Sequence, residues 1–163
     1  MNKKLIIGIL ILILIIIVGL IYYNDINNAD TEVPYINNHL QKANNEYNIA
    51  VDYLNTKNFS QSSYHCNESY VEYVKTKTHT QTALNKAIKN NQSLQIDYFT
   101  YTIDELELKI NATVELYNGL TCVNSNPRTA LSYFDRSNQL MKEAKDYSDK
   151  RSLLEQQYPD KFI

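Results

Sequence analysis

Two hydrophobic patterns divide the chain. From Leu5 to Ile21 every residue is Leu, Ile, Val or Gly, so no side chain in the run carries a polar atom. From Val33 on, apolar residues recur instead at steps of three and four. Val33, Ile36, Leu40, Ala43, Tyr47, Ala50 and Leu54 make one such stripe, and Ile96, Phe99, Ile103, Leu106, Ile110, Val114 and Tyr117 make another. That spacing is the signature of an amphipathic helix. A weaker stripe runs through Ala130, Tyr133, Ser137, Leu140, Ala144, Tyr147, Leu154 and Tyr158, with Arg151 interrupting it. Between the first two stripes, Phe59, Cys66, Tyr70, Val74, Leu84 and Ile88 fit a helix, although Lys75–Thr82 alternates with period two. Helical periodicity on both sides and the lack of a partner strand favour helix there, softened by its four threonines.

The punctuation agrees. Pro34 suits a helix's first turn, Asn126-Pro127 reads as a cap with a first-turn proline, and Pro159 follows the last stripe. Asn118-Gly119 reads as a helix end, since glycine favours the position just past one. The spacing predicts helices near 33–56, 59–90, 93–118 and 127–157. Short connections make neighbours antiparallel, so the expected fold is all-α: an up-down-up-down four-helix bundle at 33–163 behind one transmembrane helix. A faint echo links Phe59-x-x-Ser62-x-x-x-Cys66-x-x-Ser69 to Pro127-x-x-Ala130-x-x-x-Phe134-x-x-Ser137, each opening the second helix of a hairpin.

The apolar run is ~26 Å of helix, and Tyr22 and Tyr23 extend it towards the ~30 Å of a bilayer core. It is too long for a cleaved signal peptide and lacks a small-residue cleavage site. Lys3 and Lys4 precede it, while Asp25, Asp30 and Glu32 follow, with no basic residue before Lys42. The basic side stays inside. Residues 1–4 are therefore expected in the cytoplasm, 5–23 as an uncleaved signal anchor in the cell membrane, 24–32 as a polar linker and 33–163 outside. With one span, the chain is no channel or transporter by itself.

A net charge of −2 with scattered lysines excludes a strong nucleic-acid binder, and three glycines leave no phosphate-cradling loop. His39, His65 and His79 are too far apart in sequence to share a metal, and no Cys-x-x-Cys or Glu-x-x-His occurs. Glu105–Lys109 and Asp146–Lys150 have the four-residue spacing of surface ion pairs, and Asp104-Glu105-x-Glu107 reads as a solvated flank. No catalytic grouping, metal or cofactor is indicated.

Cys66 and Cys122, the only cysteines, fall at one pole of the expected bundle and in an oxidising compartment. That predicts a Cys66–Cys122 disulfide, worth ~4 kcal/mol for a loop of this length. Fourteen tyrosines and no tryptophan are conspicuous, and tyrosine suits contact surfaces and small polar ligands. If a ligand pocket exists, the polar middle of the second helix places it near Tyr73, Lys77, Tyr101 and Thr102. Asn58, Asn67, Asn91 and Asn111 head N-x-Ser/Thr sequons, which matter only in a host that glycosylates its exports. The leading expectation is a non-catalytic, membrane-anchored bundle with a protein or envelope partner. The alternative is a small-molecule-binding bundle that signals through a partner.

Overall fold

The computed structural model describes residues 13–20 and 29–162. Residues 13–20 are helical, and all are exposed. The rest of the expected anchor, and the linker as far as residue 28, lie outside the described residues. No helix among the described residues is long and apolar enough to cross a membrane.

The remainder is all-α. Four long helices follow one another: α1 (Val33–Asn55), α2 (Phe59–Lys89), α3 (Ser93–Cys122) and α4 (Pro127–Gln157). The described residues contain no strand. A 3₁₀ turn at Ala29–Glu32 precedes α1, and another at Pro159–Lys161 follows α4. The first lies within the stretch expected to be linker. It belongs to the bundle instead, because Ala29 is fully buried.

The helix ends follow from caps. Asn58 and Asn126 each accept a hydrogen bond from the backbone N–H three residues on, at Gln61 and Thr129. The first two hairpin turns share one design. Asn58 N donates to Tyr53 O and Lys57 N to Leu54 O; Gln92 N donates to Ala87 O and Asn91 N to Ile88 O. Both are paired end-of-helix bonds of the Schellman type, which need a left-handed residue. That residue is Lys57 (φ 61°) in one turn and Asn91 (φ 53°) in the other. Neither is glycine, the residue that takes such a position most readily.

Glycine appears where the expected helix end does not. α3 continues through Gly119 to Cys122. A Cβ at Gly119 would stand closer than 3.0 Å to three carbons of the Phe134 ring. Gly119 is there because α4 presses an aromatic ring onto α3, not to turn the chain.

Successive helices are antiparallel, as their contacts show. On α2, Ser62 Oγ donates to Ala50 O and Ser69 Oγ to Ala43 O, both on α1. On α4, Ser137 Oγ donates to Ala112 O of α3. Ser69 and Ser137 are the corresponding residues of the sequence echo, so the echo marks a packing rule common to two hairpins. A small residue on the second helix lets the backbones approach until its hydroxyl reaches a helix carbonyl.

The core has three apolar clusters along the long axis. One, at the Ala29 pole, joins Val33, Ile36, Tyr98 and Phe99 to Phe162, whose ring stacks on Tyr98 with centroids 4.3 Å apart. A central one holds Leu40, Ala43, Tyr73 and Leu106. The third, at the opposite pole, holds Tyr47, Ala50, Cys66, Leu116 and Leu120.

The α1 stripe faces this core as expected. Those of α2 and α3 do so only in part: Cys66, Phe99 and Leu106 are buried. The buried face of α2 is Ser62, Cys66, Ser69, Glu72, Tyr73, Thr76, Thr80, Ala83 and Ala87. On α3, Tyr98, Thr102, Glu105, Lys109, Ala112, Leu116 and Gly119 point inward. Tyr70, Val74, Val114 and Tyr117 are exposed. The buried face of α2 is therefore mostly small or polar, whereas that of α3 mixes Tyr98, Phe99, Leu106, Leu116 and Leu120 with Thr102, Glu105 and Lys109.

Candidate functional site

The most concentrated chemistry lies between the apolar layers. Glu105 on α3 has no exposed surface. Lys109, one turn on, places Nζ 2.6 Å from Glu105 Oε1, and Arg151 on α4 places Nε 3.2 Å from Glu105 Oε2. A carboxylate thus sits between two cations. Arg151 Nη1 also donates to Glu155 Oε1 (2.7 Å), Asn37 Oδ1 of α1 (3.1 Å) and the Tyr98 hydroxyl (3.2 Å). Lys109 reaches back to Asn44 Oδ1 on α1 (2.8 Å), which also accepts from the Tyr73 hydroxyl. Two cations and two carboxylates make a neutral cluster joining α1, α3 and α4, with Tyr73 of α2 hydrogen-bonded to it through Asn44.

Burial dominates the electrostatics. It lowers the Lys109 pKa, against the pull of Glu105. It also acts to lower that of Arg151, but Glu105, Tyr98 and Glu155 outweigh it and leave the guanidinium more firmly protonated than usual. Tyr98 is pushed up to about 12 by burial, despite Arg151 beside it. Arg151 therefore stays charged and Tyr98 neutral across ordinary pH. That is the behaviour of a structural network: each buried donor and acceptor has a partner, and no nucleophile–base pair is set against open space.

The sequence reading placed these residues wrongly. Glu105–Lys109 does pair, yet it is interior, not a solvated flank. Of the neighbouring acids, Glu107 is exposed and pairs with Lys77 (2.8 Å). Asp104 is partly buried, and burial followed by Glu107 raises its pKa. The usable signal was register: Tyr98, Thr102, Glu105, Lys109 and Ala112 are spaced like a stripe, but a stripe sought only among large apolar residues passes over it.

All three histidines bridge α1, or the turn before it, to α2. His39 Nδ1 is 2.7 Å from Glu72 Oε2, His65 Nδ1 is 2.7 Å from Glu46 Oε2, and His79 Nδ1 is 3.9 Å from Glu32 Oε2. Tyr35 lies between His39 and His79, with ring centroids 4.1 Å from each. Glu72 also takes a 2.7 Å contact from Lys42. Hydrogen bonds from Lys42 and His39 hold its carboxyl below the usual range, against the opposing effect of burial. Among the described residues no group of three metal-binding side chains converges.

The four residues proposed for a pocket do not meet in one. Tyr73 is fully buried and bonds Asn44 on α1, while Thr102 is buried with its hydroxyl on Tyr98 O. Lys77 pairs with Glu107 on the surface, and Tyr101 faces α4, with Lys150 Nζ 5.6 Å from its ring centroid. The sequon residues Asn58, Asn67, Asn91 and Asn111 are all exposed.

The expected disulfide is corrected. Both thiols are free. Cys66 Sγ lies 3.3 Å from Thr113 O, while Cys122 Sγ turns back to Gly119 O of its own helix. Cys66 is thus level with Thr113, nine residues short of Cys122. That is ~13 Å along the axis, beyond the reach of a disulfide. The two cysteines do belong to one half of the bundle, but their register forbids a bridge in any compartment. Burial pushes the Cys66 thiol up to about 12, so it is inert.

Open space lies in seams between helices. A cleft of about 210 Å³ between α2 and α3 has Cys66 and Thr113 at its base and the exposed Tyr70, Val114 and Tyr117 around it. A groove of about 410 Å³ between α1 and α4 runs over Tyr47 and Ser137 near the Asn55 end. The chain matches no protein-family model, and comparison with curated proteins and with solved structures finds no match.

Proposed function

We propose that this chain is a single-pass, membrane-anchored protein whose up-down-up-down four-helix bundle stands outside the membrane and works by contact with a protein or envelope partner rather than by catalysis. The observation that carries the contact reading is the outer face of α2 and α3, where Tyr70, Val71, Val74, Val114 and Tyr117 are all exposed. Scattered apolar surface is ordinary, but apolar side chains gathered along one helix seam suit association. Tyrosine and valine there offer area with little flexibility to lose on binding.

The anchor rests on the run Leu5–Ile21, and its orientation on Lys3 and Lys4 before it and the acids after it. Large apolar residues from Ile13 to Leu20 lie exposed on a helix, and such a surface finds its natural solvent in lipid. The interior supports a non-catalytic role, since Glu105, Lys109, Arg151 and Glu155 are committed to one another.

The test is photo-crosslinking in native membranes. A photoreactive residue at Tyr117 should capture a defined partner, one at the exposed Gln139 on α4 should not, and the product should resist alkaline extraction. No product at Tyr117 or Tyr70, or the same products at Gln139, would overturn the contact reading. Release of the chain by alkali would overturn the anchor.

A further inference from the structure

The α1–α4 seam differs from the others. α1 and α2 touch through serine and alanine, as do α3 and α4, whereas α1 and α4 meet across long polar side chains: Tyr47 to Ser137 at one level and Asn37 to Arg151 at another. The gap left near the Asn55 end is the groove of about 410 Å³, within the usual size of a small-molecule site. Val51 and Leu54 of α1 line one side, and Leu131 and Phe134 of α4 line the other. The floor holds a hydroxyl pair, Tyr47 to Ser137 at 2.7 Å.

Two opposite charges stand at the rim, Lys57 and Asp135. Both are exposed, and neither forms an ion pair within the described residues. Lys57 is also the residue held at φ 61°. The matching turn at Asn90–Gln92 fills that position with asparagine, which tolerates it better. A lysine kept in a conformation that disfavours it, at the mouth of a groove, is the kind of local strain that accompanies function.

We infer that the α1–α4 groove binds a small zwitterion with an apolar body, as a free aliphatic or aromatic amino acid is: the body lies between Val51, Leu54, Leu131 and Phe134, the carboxylate faces Lys57 and the ammonium faces Asp135. Charge complementarity selects this occupant. A fatty anion would meet Asp135, a hydrophobic cation would meet Lys57, and an uncharged apolar molecule would leave both rim charges unused. No bond is made or broken. This site is distinct from the α2–α3 face, so either reading can fail alone.

The test uses the full-length chain in detergent micelles with labelled Leu and Val methyl groups. L-leucine, L-valine, L-isoleucine, L-phenylalanine and L-methionine are each titrated, with N-acetyl-leucinamide as the uncharged control. At least one amino acid should shift the methyl signals of Val51, Leu54 and Leu131 with a Kd of ~1 mM or tighter. N-acetyl-leucinamide should bind about tenfold more weakly or not at all, as should the amino acid to Lys57→Asn or Asp135→Asn. Asparagine suits the left-handed backbone at 57, so that variant keeps the turn. If no amino acid shifts those methyls, if the uncharged control binds equally well, or if both variants bind like the parent, the inference is wrong.

Discussion

Replacing Glu105 by Gln tests the interior most directly. The side chain keeps its shape but loses the charge that faces Lys109 at 2.6 Å and Arg151 at 3.2 Å. Glu105 has no exposed surface, and Lys109 and Arg151 are only 7% and 8% exposed. Water cannot replace the lost carboxylate. Arg151 retains Glu155, but Lys109 is left with the neutral oxygen of Asn44. Breaking a buried ion pair from one side costs about 3–5 kcal/mol, because a charge remains without compensation. Against a typical total of about 5–15 kcal/mol, Glu105→Gln should remove about a fifth of the stability or more. Replacing all three residues together (Lys109→Met, Glu105→Leu, Arg151→Leu) leaves no charge stranded. Such an exchange of a buried cluster for apolar side chains is often neutral or stabilising. The assay is urea unfolding of the full chain followed by far-ultraviolet circular dichroism. A loss below ~1 kcal/mol for Glu105→Gln, the scale of an ordinary exposed pair, would refute the buried network. So would a triple variant less stable than the single one.

Three further outcomes follow from the same structure. Gly119→Ala should destabilise by about 1–2 kcal/mol despite alanine's better helix propensity, because the new methyl overlaps the Phe134 ring; adding Phe134→Leu should recover much of the loss in the same urea assay. Lys57→Gly should stabilise by about 0.5–1 kcal/mol, since glycine adopts the left-handed turn without its steric cost, and an unchanged midpoint would argue against the φ of 61°. Glu72 is held below its ordinary pKa of 4.5, so its contribution is present above that value and is lost as pH falls through its lower folded value. Thermal melts from neutral pH into the acid range should therefore show an acid limb that is shallower in Glu72→Gln.

The helices were legible because their ends carry local chemistry. Asn58, Asn126 and Pro127 start helices in any context, and the α1 stripe is buried along most of its length. What could not be read was which face of α2 and α3 turns inward. Side-chain size misleads where backbones pack closely, since only Gly, Ala, Ser and Thr allow the approach. Buried threonine is not costly here. Thr76, Thr80, Thr102 and Thr113 each donate to the carbonyl four residues earlier, so their hydroxyls are satisfied within their own helices. In the threonine run that looked soft in sequence, Thr76 and Thr80 are packing surface, while Thr78 and Thr82 face out. Cys66 and Cys122 failed for a related reason: connectivity gives the pole but not the axial level, and a disulfide depends on the level.

The charged cluster inside and the apolar seam outside both bear on one choice, the rotation of α3. Turning α3 by about one residue's angle, ~100°, would bring Val114 and Tyr117 towards the core. It would also carry the buried Phe99, Leu106, Leu116 and Leu120 outwards, so apolar burial opposes the rotation. Glu105 opposes it as well, because the same turn would pull its carboxylate away from Arg151, which would keep only Glu155 of its own helix. The apolar core and the charged cluster therefore agree on which face of α3 remains outside, and with it the surface proposed for contact. The triple apolar variant separates stability from that role. It should remain folded, with Tyr117 as open to solvent and as reactive as in the parent, because leucine and methionine at positions 105 and 109 keep the same face inward. Protection of Tyr117 from solvent in the triple variant would show instead that the ions, and not the apolar contacts, set the rotation of α3.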